Sequence, residues 1–176
     1  MNNLEDALRD WTRTVGLKPD NVDAHYNLGN LYRGMNDLDR AIESYTFAIK
    51  HNSQHAPAFN NRGLTYLDMR NYDAAIQDLD RAIQLDSNYL KAYVNRGSAY
   101  YDIGQFDKAI SDYQTALSLN PKSWQTLYNL GSIFLEKEDC SESLSYFKQC
   151  LSYAPAGDHS RIKSQISTLE QKLKEK

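Results

Sequence analysis

Apolar side chains recur along the chain at steps of three and four, the period of helices that each bury one face. Residues 1–17 show it first, with Leu4, Ala7, Leu8, Trp11 and Val15 on one stripe. Proline and polar residues in LKPDN (17–21) end that helix, because proline lacks an N–H and pushes its predecessor out of the helical region. The same phase then predicts helices over 22–35, 56–69, 90–103 and 124–137, each followed by a second helix over 38–51, 72–85, 106–119 and 140–153. The inner turns are GMND, DMRN, DIGQ and EKED. The loops HNSQH, LDSNY, LNPKS and YAPAG hold the Asn, Ser, Pro and Gly of helix ends. From Asp158 onward, Ile162, Ile166, Leu169 and Leu173 form a last stripe.

The pattern repeats with a fixed period. Gly29, Gly63, Gly97 and Gly131 stand 34 residues apart. Tyr32, Tyr66, Tyr100 and Phe134 follow them by three, and Ala41, Ala75, Ala109 and Ser143 by twelve. Ala48, Ala82, Ala116 and Cys150 follow by nineteen. A period of this length predicts a stack in which each helix pair touches its neighbours. The units fall at 22–55, 56–89, 90–123 and 124–157, after a half unit at 1–21 and before a capping helix at 158–176. We read 1–176 as one repeat domain. Gln165 stands where a fifth glycine would fall, as expected of a cap that faces water.

Helix–turn–helix units of 34 residues with this small–aromatic–small pattern resemble the tetratricopeptide repeat (TPR). The resemblance covers nearly the whole chain. It implies an all-α fold, a right-handed superhelical solenoid of antiparallel helix pairs. It also implies a protein–protein interaction module with a concave groove.

A mid-helix glycine costs roughly 1 kcal/mol against alanine, so four of them need a compensating contact. Close approach of the paired helix, with its alanines, supplies one, and the aromatic three positions on is expected to fill the space beside them. With the glycine at zero and about 100° per residue, positions −6, −3, −2, +1, +4 and +5 fall on a separate stripe. In TPR-like stacks that stripe lines the groove. Position −2 is asparagine every time: Asn27, Asn61, Asn95 and Asn129. Helix propensity does not select asparagine. One reading is solvation at the helix surface or an internal hydrogen bond to a neighbouring helix. The other is a ladder for an extended peptide, whose N–H and C=O groups an amide can match. Inner helices repeat at about 10 Å, so one asparagine would meet about every third peptide residue. Around the ladder stand Tyr26 and Tyr128 at −3, Asn30 at +1, Arg33 and Tyr101 at +4, and Lys91 at −6. These ten residues are the expected peptide contacts. Asp68, Asp102 and Glu136 at +5 form an acidic rim, which favours a basic or neutral ligand over an acidic one.

The asparagine ladder, with NLGN at 27–30, is similar to the TPR arm of O-GlcNAc transferases, where asparagines hold protein substrates. No transferase domain accompanies it. A second resemblance is to the carboxylate clamp of co-chaperones, which binds acidic chaperone tails. Asn30, Asn61 and Lys91 match that clamp, but Tyr26 replaces a lysine and Asn95 an arginine. Arg62 and Arg96 stand one position towards the packing side, where they are expected to lie along the helix.

Composition narrows the field. A net charge of −3 offers no basic stripe for nucleic acid. Mean hydropathy is −0.69, no apolar run is long enough for a membrane span, and the N-terminus lacks a signal-peptide pattern, so a cytoplasmic chain is expected. Cys140 and Cys150 share one predicted helix at about 15 Å, too far to bridge, and read as packing residues. No phosphate loop, HExxH, GxSxG or CxxC is present, and His51 and His55 straddle a loop. No enzyme, cofactor or metal is expected. The expected partner is a protein or peptide. The alternatives are a degenerate co-chaperone and a substrate-binding or regulatory fragment of a larger enzyme. Self-association through the Leu4, Leu8 and Trp11 face of the half unit, or through the C-terminal helix, is a further expectation.

Overall fold

A computed structural model describes residues 2–175; Met1, Lys176 and the side chains of Asn2, Asn3 and Leu4 lie outside the described residues. Every element among them is helical. In order they are α1 (Asn2–Leu17), α2 (Val22–Gly34), α3 (Leu38–His51), α4 (Ala56–Asp68) and α5 (Tyr72–Leu85), then α6 (Leu90–Asp102), α7 (Phe106–Leu119), α8 (Trp124–Glu136), α9 (Cys140–Tyr153) and α10 (His159–Lys174). A single 3₁₀ turn, Ala156–Asp158, precedes α10, which therefore starts one residue later than the sequence pattern suggests. None of these helices is long and apolar enough to cross a membrane.

The first helices of the four pairs each end one residue short of the sequence expectation. The reason is the turn that follows. Asn36, Arg70, Gly104 and Glu138 all take positive φ, between 58° and 74°. That left-handed residue reverses the chain, and the next N–H reaches back to the +3 aromatic: Asp37 N–H to Tyr32 O (2.8 Å), Asn71 to Tyr66 (2.8 Å) and Asp139 to Phe134 (2.9 Å). The helix must stop before this geometry begins.

The chain divides into two units within α6, at Ala99 and Tyr100. In residues 1–99, α1 packs on α2, α2 on α3, α3 on α4 and α4 on α5. The core is built from the repeat's small residues and one large residue per pair. Ala41, Ala48, Ala75 and Ala82 are fully buried, with Tyr45 and Leu79 beside them. In residues 100–176, α7 packs on α8, α8 on α9 and α9 on α10. Here Phe147 and Cys150 of α9 meet Ile162, Ile166 and Leu169 of α10.

Gly29, Gly63 and Gly131 do sit at the close approach of paired helices, but the residue filling the space is not the expected one. A Cβ on Gly29 would stand 2.5 Å from Tyr45 Cε1, one on Gly63 2.9 Å from Leu79 Cγ, and one on Gly131 3.0 Å from Phe147. The filler is the bulky residue sixteen positions on, not the aromatic three positions on. Tyr32 instead lies under the Arg40 guanidinium at 4.5 Å, and Phe134 stacks on Tyr146 at 5.4 Å.

Candidate functional site

Side-chain caps fix where α2 and α4 begin. The Ala24 N–H donates to Asn21 Oδ1 (2.9 Å) and the Ala58 N–H to His55 Nδ1 (3.0 Å). With α2, α4 and α6 in phase, equivalent residues meet at a separation of one repeat plus one residue. Position −3 of one repeat reaches −2 of the next, and +4 reaches +5.

In residues 1–99 this register joins four of the expected contacts into one network. Asn61 Nδ2 donates to Asn30 Oδ1 at 2.8 Å and to the Tyr26 hydroxyl at 3.1 Å. The Tyr45 hydroxyl donates to the same Asn30 oxygen at 2.8 Å. Asn60 Nδ2 donates to Asn61 Oδ1 at 2.8 Å, and Asn95 Nδ2 donates to Asn60 Oδ1 at 2.9 Å. The internal hydrogen bond weighed for these asparagines is therefore present. Both Asn61 amide hydrogens are engaged within the protein, so Asn61 has no donor left to offer.

Other groups on the face stay open. Asn27 is half-buried and has no side-chain hydrogen bond among the described residues. Asn30 keeps its Nδ2 and Asn95 its Oδ1. No buried side-chain nitrogen or oxygen among the described residues lacks a partner, so these unpaired groups reach solvent. Lys91 is exposed. Arg33 Nε donates to Asp68 Oδ2 at 2.8 Å, which neutralises the cation and part of the expected acidic rim together.

In residues 100–176 the expected contacts are differently placed. Tyr101 donates its hydroxyl to Glu136, the +4 to +5 register again. That carboxylate, with burial second, pushes the Tyr101 phenol up to about 12. The Tyr128 ring meets Phe147 edge-on at 5.3 Å and is covered by the Arg161 guanidinium of α10 at 4.2 Å. Asn129 is half-buried and makes no side-chain hydrogen bond among the described residues.

Arg62 differs from the sequence expectation. It does not simply lie along its helix. Its Nε and Nη2 form a two-pronged pair with Asp78, both at 2.7 Å, and Nη1 donates to Thr46 Oγ1 at 2.9 Å. Arg96 likewise pairs with Asp80. The expected contacts do not include Asn60, although it stands at position −3 on the groove stripe, nor Tyr45 and His55. The doubled asparagine at 60–61 and the aromatic sixteen after Gly29 were the signals available.

No group of three or more His, Cys, Asp or Glu side chains among the described residues is placed to hold a metal. Cys140 and Cys150 are both free thiols.

Sequence models of the tetratricopeptide repeat match residues 22–55, 56–89 and 90–123. Related models of the same repeat match 125–156 and 1–34. Among solved structures, the crystal structure of MamA is 28% identical over 86% of this chain and 89% of that one, with a TM-score of 0.80. A MamA from Desulfovibrio magneticus RS-1 is 23% identical over 85% of each chain, with a TM-score of 0.79. YrrB, described as a TPR protein with an unusual peptide-binding site, is 22% identical over 93% of this chain and 83% of that one, with a TM-score of 0.75. The last two likenesses bear on fold alone. A comparison with curated proteins finds no match.

Proposed function

Since the chain belongs to the tetratricopeptide repeat family, whose fold serves as a protein–protein interaction module, we propose that the face of its first helices binds an extended segment of a partner protein. The observation behind this reading is the set of unpaired amide groups in residues 1–99. Asn27 and Asn30 Nδ2 on α2 and Asn95 Oδ1 on α6 reach solvent, on either side of the internally bonded Asn61 of α4. Such groups suit a peptide backbone, which offers a donor and an acceptor at each residue. Each bond nets about 1 kcal/mol, so the ladder gives holding with little sequence preference. Tyr26 adds ring area at low entropic cost, and exposed Lys91 adds charge. In residues 100–176, Asn129, Tyr128 and Tyr101 are the corresponding groups.

Asn61 has a supporting role in this reading. Its hydrogens are spent inside the protein, so it holds Asn30 and Tyr26 rather than the ligand.

The test is a peptide selected by phage display on the whole chain, followed by calorimetric titration. Asn27→Ala combined with Asn95→Ala should weaken the selected peptide by about twentyfold or more, from two lost bonds. Unchanged affinity in a folded double variant rejects the reading. A selection that yields only peptides ending in acidic residues, bound through Lys91, would replace it with the chaperone-tail reading.

A further inference from the structure

The five-membered chain Tyr45–Asn30–Asn61–Asn60–Asn95 has a direction. Asn30 Oδ1 accepts from Tyr45 and from Asn61, and from Asn61 onward each amide gives its nitrogen's hydrogen to the preceding oxygen and its own oxygen to the following donor, which holds only if all of them point the same way. Reversing one amide alone would set N–H against N–H on one side and oxygen against oxygen on the other. The four amides therefore turn together or not at all.

What selects the direction lies at the buried end. Tyr45 is fully buried, and its hydroxyl proton has Asn30 Oδ1 as acceptor. A buried hydroxyl that cannot donate loses a hydrogen bond it would have made in water. Burial also pushes the Tyr45 phenol well above its ordinary range, so the proton stays on. Asn30 must then face its oxygen inward. Asn61 must donate to that oxygen, Asn60 must donate to Asn61, and Asn95 must donate to Asn60. Asn60, only 1% exposed, passes the direction on from one repeat to the next.

We propose that Tyr45 is a positioning residue whose buried hydroxyl fixes the orientation of these amides, so that the face presents a ligand with N–H donors at Asn30 and a carbonyl acceptor at Asn95. A ligand must bring an acceptor to the first position and a donor to the second. This half rests on the peptide-binding reading; the orientation itself does not. A backbone carbonyl suits Asn30, and a backbone N–H suits Asn95, so a proline or N-methylated residue opposite Asn95 is disfavoured.

The orientation is tested without any peptide. In the ¹⁵N-labelled chain, the Asn61 side-chain hydrogens should exchange with solvent about fivefold or more slowly than those of Asn30, the protection expected of a bond worth about 1 kcal/mol. Faster exchange at Asn61 than at Asn30 overturns the proposal. Tyr45→Phe should narrow that difference, because the chain loses what orients it. The packing accepts the change: Phe147 fills the same place against Gly131. An unaltered exchange pattern in folded Tyr45→Phe also overturns it.

Two isosteric variants test the direction through stability instead. Asn30→Asp keeps acceptors where the chain needs them and should leave the urea midpoint nearly unchanged. Asn95→Asp sets oxygen against Asn60 Oδ1 and should lower it. The opposite ranking overturns the proposal.

The probe for the ligand half is N-methylacetamide, a single peptide group, against N,N-dimethylacetamide, which lacks the N–H. Asn30 Nδ2 should shift with both, Asn95 Cγ with the first only, and Asn61 with neither. Equal responses at Asn61 and Asn95 reject this half. If this pattern holds but no peptide is ever selected, the binding reading fails and the orientation stands.

Discussion

Gly29 lies beneath the Tyr45 ring so closely that a Cβ there would stand 2.5 Å from Cε1. No real Cβ contact is that short, so alanine at 29 must displace a fully buried ring. The displaced ring also carries the hydroxyl that holds Asn30 at 2.8 Å. Gly29→Ala should therefore destabilise by about 1–3 kcal/mol, the range for overpacking a core. Gly34 ends the same helix with nothing within 4 Å of its would-be Cβ. Gly34→Ala should instead be neutral or stabilising by up to about 1 kcal/mol. Paired urea melts of the two variants read the contrast directly.

The repeat period made the fold legible because one glycine, one aromatic and two small residues recur with the spacing of a helix pair. The site was legible only as a stripe. A single helical wheel places Asn60 beside Asn61 on the same open face. It cannot show that the next first helix brings Asn95 over Asn60 at a separation of 35 residues. The same limit hid Arg62 and Asp78, whose pairing crosses from α4 to α5 over 16 residues. Periodicity tells which positions are equivalent. It does not tell which equivalent positions touch, because that depends on the offset between neighbouring helices.

Asn60 is the most buried member of the amide network, and alanine there removes two hydrogen bonds at once. Asn61 and Asn95 are half-exposed and recover part of the loss from water. Asn60→Ala should cost about 1–3 kcal/mol by urea denaturation, with helicity unchanged in circular dichroism. A neutral result would show that the network contributes nothing to stability.

The Arg62–Asp78 pair is nearly dry, with side-chain exposures of 16% and 9%. Removing one partner leaves a charge without its counterpart. Arg62→Ala should cost about 3 kcal/mol, while Arg62→Met combined with Asp78→Leu should recover most of it, since apolar replacement of both partners is often tolerated. Equal losses in the single and double variants would contradict this account.

The two thiols should differ sharply in reactivity. Cys150 is fully buried, donates to the Trp124 carbonyl at 3.2 Å, and is pushed by burial up to about 11. The thiolate is the reactive species, so both access and protonation protect it. Cys140 is half-exposed at the start of α9. Ellman's reagent at neutral pH should modify Cys140 in the native protein and reach Cys150 only on unfolding. Two equivalents reacting at one fast rate would place Cys150 outside the core.

Tyr101 gives the chain a stability that depends on alkaline pH. Its hydroxyl donates to Glu136, and that bond, with burial second, raises the phenol from 10.0 to about 12. The folded state therefore holds the proton more tightly than the unfolded one. The contribution is complete below the unfolded value near pH 10 and is lost as pH rises through about 12. Glu136→Gln removes the charge that repels the phenolate. It should lower the Tyr101 titration midpoint, read as the difference in ultraviolet absorbance titration between chains with and without Tyr101→Phe. The Glu136→Gln chain should also lose less stability than the wild type between pH 10 and 12. An unshifted Tyr101 midpoint in Glu136→Gln would mean that burial alone, and not the neighbouring carboxylate, holds the proton.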